Sequence, residues 1–137
     1  MQILFVSVGA WFLAQVLKVL FIFIKKKKLT LYDFFSSGGM PSSHTALVSS
    51  LAIQIGLLYG FESPFFALAS VNACIVMYDA VGVRRAVGLQ AKKINQLLDD
   101  ESKNEALREI LGHTPLEVIG GLILGVGVGV FFSLFCF

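Results

Sequence analysis

Charged side chains are scarce in this chain. They make up only 15% of the 137 residues, whereas 56% are hydrophobic, and the mean hydropathy is +0.81. A soluble domain of this size does not carry so much apolar surface. There are only two cysteines, Cys74 and Cys136, far apart in apolar segments, so neither a disulfide nor a cysteine metal pair is indicated. The net charge is +2 and no aromatic residues alternate with the basic ones, which argues against nucleic-acid binding. These scarcities predict an integral membrane protein.

Apolar segments predict about four transmembrane helices in a single membrane-embedded domain, residues 1–137. A helix needs roughly 20 apolar residues to cross a hydrocarbon core of ~30 Å. The second segment is short, so its polar start lies in the interface or the bilayer is locally thinner. The first segment has the length of a signal peptide, but its basic run follows it and no cleavage site ends it, so we expect a retained helix. The predicted fold is all-α, with spans at 3–24, 44–61, 65–83 and 116–137.

The basic residues predict the orientation. Short connections rich in Lys and Arg stay in the cytosol. Residues 59–64 carry only Glu62, so both termini should face outward and every polar motif should face the cytosol. The Lys25–Lys28 run has two interpretations, an anchor beside anionic headgroups, which we favour, or a substrate-binding patch. The first and third connections hold Lys25–Lys28, Arg84, Arg85, Lys92, Lys93, Lys103 and Arg108.

Residues 86–111 are polar and periodic. Two apolar stripes at helical spacing predict two amphipathic cytosolic helices between the third and fourth spans. They serve either as structural support, which we favour, or as a lid. The first stripe is Val87, Ala91, Ile94, Leu97 and Leu98, and the second is Ala106, Leu107, Ile110 and Leu111.

The polar stretch 38–45, Gly-Gly-Met-Pro-Ser-Ser-His-Thr, separates the first two apolar segments. Glycines such as Gly39 allow close backbone approach to a ligand, and a helix beginning near Pro41 would direct its free N–H groups at an anion. The simpler interpretation is a serine-capped helix start. His44 favours a functional site over a simple helix cap, because a histidine at a membrane edge is energetically costly without a role. The hydroxyls of Ser42, Ser43 and Thr45 are the candidate phosphate ligands.

Three further charged residues stand at the edges of the apolar segments. Lys18 either snorkels to the surface or reaches into a polar pocket. Asp79 requires a partner near the hydrocarbon edge. Arg84 and Arg85 are candidates for an ion pair with Asp79 or for phosphate binding, although ordinary membrane-boundary arginines are the alternative for one of them.

His113 and Glu117 form the last cluster, in Gly112-His-Thr-Pro-Leu-Glu117. A carboxylate bonded to one ring nitrogen fixes the histidine tautomer and leaves the other nitrogen free to attack phosphorus. The alternative is a capping box, with Thr114 as N-cap and Glu117 bonded to backbone. No cofactor is expected, although Asp79 with Glu117 would suit Mg²⁺ as a minority alternative.

These motifs resemble those of the type-2 phosphatidic acid phosphatase and vanadium haloperoxidase superfamily. Pro41-Ser-Ser-His44 resembles its Pro-Ser-Gly-His motif, with Ser43 in place of glycine, and the longer Gly-Gly-Met-Pro-Ser-Ser-His-Thr-Ala form and Asp79-x-x-Gly-Val-Arg-Arg85 are similar to a divergent bacterial and plant branch. His113-x₃-Glu117 resembles the His-x₃-Asp end of the third motif. The Lys-x₆-Arg-Pro motif is represented only by Lys18, and the motif arginine is displaced, with Arg84 or Arg85 as its replacement.

The resemblance implies a lipid phosphate or pyrophosphate phosphatase. His113 would be the nucleophile, His44 the general acid and Glu117 the orienting carboxylate, while Asp79 would support the site. The alternative is a non-catalytic lipid-phosphate binder or a small transporter that retains the anion site. Gly121, Gly125 and Gly129 form a small-residue face for packing inside the bundle or between protomers, which makes a homodimer an open alternative.

Overall fold

All of the regular secondary structure in the described residues is helical. The computed structural model describes residues 1–27, 39–97, 107 and 112–135, which contain no strand. Three stretches are long and apolar enough to cross a membrane, namely α1, α3 with its continuation α4, and α5. The predicted all-α membrane fold is therefore confirmed. The helices are α1 Gln2–Lys26, α2 Ser43–Tyr59, α3 Pro64–Val81, α4 Val83–Asn95 and α5 Pro115–Phe135.

Helix α2 is short but central. It has 17 residues and spans about 25 Å at 1.5 Å per residue, less than a full hydrocarbon core, and it packs against α1, α3 and α5. Its buried face is polar. Ser49 Oγ donates to the Thr45 carbonyl at 2.7 Å, and Gln54 Nε2 donates to the Ser50 carbonyl at 2.9 Å and to Ser7 Oγ at 3.2 Å. Small and hydroxyl side chains allow this close packing without leaving those donors unpaired in an apolar medium.

The glycine face of α5 packs against α2. A Cβ at Gly121, Gly125 or Gly129 would collide with the α2 backbone or side chains; at Gly125 the colliding atoms are Ser49 Oγ and the Ala46 carbonyl. Of the two predicted roles for this face, packing inside the bundle is the one that the structure shows. A homodimer stays a prediction.

The third helix ends earlier than the predicted 65–83. Gly82 has φ −97° and ψ −91°, far from helical values, so α3 ends at Val81 and α4 leaves its axis from Val83. Val83 therefore belongs to the amphipathic helix, which begins three residues before the predicted 86. The periodicity missed this boundary because apolar residues continue across Gly82.

Several predicted features lie outside the described residues. These are Lys28, Gly38, Leu98, Lys103, Arg108, Cys136 and most of the second amphipathic stripe, namely Ala106, Ile110 and Leu111. Leu107 is described, and Asn95 binds both its N–H and its carbonyl group at 2.8 Å. Cys74 is an exposed free cysteine.

Candidate functional site

Two backbone hydrogen bonds join the three motifs at one end of the bundle. The His113 N–H donates to the Ala80 carbonyl at 2.9 Å, and the Ser42 N–H donates to the Glu117 carbonyl at 3.0 Å. In an uninterrupted helix the Ala80 carbonyl would accept from Arg84. The break at Gly82 therefore leaves that carbonyl available to hold the histidine segment.

Glu117 performs both roles that the sequence left open. Its Oε2 lies 3.1 Å from His113 Nδ1 and accepts from the Thr114 N–H at 3.0 Å. The Glu117 N–H lies 3.4 Å from Thr114 Oγ1, which completes the capping box at the start of α5. One carboxylate oxygen thus caps the helix and orients the imidazole. With Nδ1–H donating to Glu117, the lone pair of His113 is on Nε2.

His113 is held neutral by its surroundings. Only 5% of the residue is exposed, and this burial lowers the pKa of the imidazole below its ordinary value, while the hydrogen bond and negative charge of Glu117 partly oppose the shift. Positive charge on Lys18 and Arg84 lowers the pKa further. A neutral imidazole is the form that can act as a nucleophile.

Lys18 reaches into the site and does not snorkel to the membrane surface. It is only 2% exposed, and its aliphatic stem passes Gly39, whose φ is +109°; a Cβ there would lie 3.1 Å from Lys18 Cδ. Its charge acts on Glu117 and on both histidines. A glycine at position 39 thus lets the loop lie directly over the lysine.

His44 lies on the first turn of α2 and is exposed. It is within electrostatic range of Arg84, His113 and Lys18, so the two imidazoles lie at the same end of the helix bundle. Within the described residues, the backbone N–H groups of Ser43 and His44 have no acceptor, and the Ser43 hydroxyl likewise makes no hydrogen bond. These groups form the positive N-terminal end of α2, where Ser43 is 3% exposed and His44 is exposed.

Arg84 and Arg85 differ in their surroundings. Arg84 Nε donates to Asp79 Oδ2 at 2.6 Å, which leaves its terminal nitrogens for another anion, and its charge acts on both histidines. Both arginines are exposed, but no contact with the site involves the Arg85 side chain among the described residues. The arrangement therefore favours Arg84 as the phosphate ligand and Asp79 as the residue that positions it.

Ser42 and Thr45 have structural partners. Thr45 Oγ1 donates to Ser42 Oγ at 3.0 Å, and Ser42 Oγ caps α2 by accepting from the Thr45 N–H at 3.4 Å. Both residues are 0% exposed. The serine-capped helix start, offered as the simpler interpretation, is present, and it coexists with the N-terminal amides. We therefore leave the Ser42 and Thr45 hydroxyls out of the phosphate site.

The carboxylates of the site have basic partners. Asp79 pairs with Arg84 and Glu117 with His113, and in the described part of the chain no three His, Cys, Asp or Glu residues converge as metal ligands would. Gly112 is a site residue that the sequence analysis missed. Its φ is +81°, and a Cβ there would overlap the backbone of Arg84 and Arg85. The sequence signal that could have identified Gly112 is its position directly before the histidine motif.

Fold and site together define a helical membrane protein with a cationic, two-histidine site at one end of its bundle. Residues 1–128 match the Divergent PAP2 family, and the chain belongs to that family. It is 40% identical to the uncharacterized membrane protein YuiD of Bacillus subtilis (strain 168), over 88% of this chain and 86% of the relative. No solved structure shows a significant match.

Proposed function

We propose that this protein is a phosphatase that cleaves lipid phosphates or pyrophosphates through a phosphohistidine intermediate. The observation that carries the proposal is the contact of 3.1 Å between His113 Nδ1 and Glu117 Oε2. The positive charges of Lys18 and Arg84 act on both His113 and His44, and Lys18 also interacts with Glu117. Membership in the Divergent PAP2 family supports the same chemistry.

The phosphoryl group binds between the cations and the start of α2. Lys18, the terminal nitrogens of Arg84, the Ser43 hydroxyl and the amides of Ser43 and His44 supply positive charge and donors for its oxygens. Because these groups are already oriented before substrate arrives, they stabilise the charge of the transition state without reorganising. The backbone at Gly39 leaves room for this approach.

His113 Nε2 attacks phosphorus, and a P–N bond forms while the P–O bond to the leaving group breaks. His44 donates a proton to the leaving oxygen and becomes neutral. Water then attacks the phosphohistidine and gives a proton to His44. The P–N bond breaks, inorganic phosphate is released, and both histidines return to their starting state. Glu117 holds the Nδ1–H throughout and stabilises positive charge on the ring.

The substrate is a lipid because the site lies where α1, α2, α3 and α5 meet the interface, next to exposed apolar helix faces. We place this end in the cytosol, since the basic connections lie there, and the protein in the cell membrane. The proposed chemistry uses no metal. Retained phosphate release in excess chelator is the expected result, and loss that Mg²⁺ restores would instead assign a cation to Asp79 and Glu117.

The test is phosphate release by purified protein in proteoliposomes, with phosphatidate, phosphatidylglycerophosphate and an isoprenoid diphosphate as substrates. His113→Ala should abolish release and the trapping of ³²P on protein. His44→Ala should slow release while labelled protein accumulates from substrates with good leaving groups. Glu62→Gln, at the opposite end of α2 and α3, is the matched control and should match wild type.

Equal release by wild type and both histidine variants would refute the phosphatase. Binding of lipid phosphate without release would support the binder that the displaced arginine suggested. Orientation has its own test, since a cysteine at position 62 should react with an impermeant reagent added outside the cell. Reaction only from the cytosolic side would reverse the proposed topology.

A further inference from the structure

Helix α4 carries an apolar stripe that the bundle leaves uncovered. Val83, Val87 and Ile94 fall within about 40° around the helix at 3.6 residues per turn, and they are 58%, 44% and 47% exposed. The adjacent face of α4 is occupied by the chain itself, since Gly88 and Ala91, the latter a member of the predicted stripe, are buried and Asn95 holds Leu107 through two hydrogen bonds. The open stripe is therefore a surface with no partner among the described residues.

The polar residues of α4 indicate what covers this stripe. All of its charged residues are basic, and Arg85, Lys92 and Lys93 lie on the sides away from the stripe. A helix with an apolar stripe whose charged residues are all basic is typical of one lying in the plane of an anionic membrane surface. A soluble acidic partner would not require the apolar stripe.

The position of α4 in the chain gives the same indication. It follows the membrane-spanning α3 after a single residue, Gly82, whose φ of −97° and ψ of −91° turn the chain off the α3 axis. Val83 is thus at the membrane boundary by connectivity. In the orientation that we propose, this boundary is the cytosolic leaflet.

We propose that α4 is a lipid-docking helix, in which Val83, Val87 and Ile94 enter the boundary between headgroups and acyl chains while Arg85, Lys92 and Lys93 bind anionic headgroups. The stripe occupies the headgroup–acyl boundary along most of the helix. Arg85 and Lys92 leave the helix on the side away from the acyl chains, and their long, flexible side chains reach the headgroup phosphates.

Docking of α4 also acts on the catalytic site, an extension that rests on the proposed function. Arg84 is in the first turn of α4 and is tied to Asp79 at 2.6 Å, and Gly112, next to His113, packs against the Arg84–Arg85 backbone. Docking of α4 fixes the position of this first turn, so Arg84, the proposed phosphate ligand, is held in place relative to His113, the proposed nucleophile. Anionic lipid is therefore an activator of the enzyme as well as a docking surface.

The experiment places a single environment-sensitive fluorophore at Ile94→Cys in the full-length protein, with both native cysteines replaced by alanine. Lys92→Cys is the matched control, because two residues along a helix turn the side chain about 160° away. Proteoliposomes contain either phosphatidylcholine alone or phosphatidylcholine with phosphatidylglycerol. Nitroxide-labelled lipids serve as quenchers.

In anionic vesicles we expect blue-shifted emission and strong quenching at position 94, and weak quenching at position 92. Lys92→Glu with Lys93→Glu should reduce the quenching at 94. Quenching that is equal at both positions, or equal in neutral and anionic vesicles, overturns the proposal. Blue-shifted emission without quenching also overturns it, because protein would then cover the stripe.

Hydrolysis of a water-soluble short-chain lipid phosphate provides the second readout. In wild type the rate should rise severalfold with the phosphatidylglycerol fraction, and in Lys92→Gln with Lys93→Gln it should not. If the fluorescence shows docking but the hydrolysis rate does not change with the phosphatidylglycerol fraction, lipid docking stands and activation by anionic lipid is refuted. Because the fluorescence measurement needs no turnover, failure of the phosphatase proposal and failure of lipid docking are distinguishable.

Discussion

Glu117→Gln separates the orienting role of Glu117 from its capping role. Glutamine keeps an oxygen for the Thr114 N–H, so the capping box and the start of α5 should survive. What disappears is the negative charge beside His113 Nδ1. A hydrogen bond to a charged group contributes about 1.5–3 kcal/mol and a neutral one about 0.5–1.5 kcal/mol. As the ring gains positive charge during attack, the loss is about 1–1.5 kcal/mol, or roughly tenfold in kcat.

The pH dependence of kcat/KM in Glu117→Gln should shift in a direction that the structure predicts. Attack requires neutral His113, so kcat/KM falls as pH drops through the pKa of this imidazole. Burial already lowers that pKa, and Glu117 partly opposes the shift. Removing the charge of Glu117 removes the opposition, so the pKa should fall further. The variant should therefore be slower at neutral pH while its acid limb moves to lower pH.

The matched control is Thr114→Ala, which removes the hydroxyl that accepts from the Glu117 N–H at 3.4 Å and leaves the carboxylate beside His113. It should cost about 1 kcal/mol of stability without moving the acid limb. The assay is phosphate release between pH 4.5 and about 8, the range in which histidines titrate. An acid limb that stays in place in Glu117→Gln, with kcat unchanged, would show that Glu117 only caps the helix.

Three further predictions concern the cations and the helix packing. In vesicles of phosphatidylcholine alone, Arg84→Gln should lower kcat by about 10²–10³-fold, the typical effect of losing one transition-state donor, whereas Arg85→Gln should stay near wild type; equal losses would refute the assignment. Lys18→Met should lower kcat/KM, because it removes a buried cation whose charge acts on Glu117 and which we propose as a phosphate ligand, and an unchanged kcat/KM would contradict this. Gly125→Ala should destabilise the fold by about 1–3 kcal/mol through overpacking, whereas Gly127→Ala, with nothing within 4 Å of its new Cβ, should not, as thermal unfolding in detergent would show.

The sequence could predict the apolar helices and nominate candidate residues for the site, because both depend on local signals. Long hydrophobic runs have one stable solution in a bilayer, and a histidine or lysine at a membrane edge needs a role. The choice between Arg84 and Arg85 could not be predicted. Their side chains project about 100° apart, and the break at Gly82 resets the helical phase between them and α3. Sequence periodicity carries no information across such a break.

The double role of Glu117 was also beyond the sequence. A Thr-Pro-Leu-Glu capping box and a His-x₃-Glu pair use the same residue, and spacing alone treats them as competing alternatives. The structure shows them to be compatible, because the Thr114 N–H and His113 Nδ1 approach the same oxygen, Oε2, at 3.0 and 3.1 Å. The cap therefore positions the carboxylate that orients the histidine.

Two glycines explain how this site can use a displaced arginine. Gly39 and Gly112, at φ +109° and +81°, each bring a loop directly against a segment that carries a cation, the stem of Lys18 in one case and the backbone of Arg84 and Arg85 in the other. Left-handed backbone with no Cβ is the condition for both approaches. The position of the cations thus depends on backbone contact and not on a fixed spacing along one helix. Under the proposed function, an arginine moved to the first turn of α4 binds the same phosphoryl group as long as the loop that precedes His113 still packs against that turn.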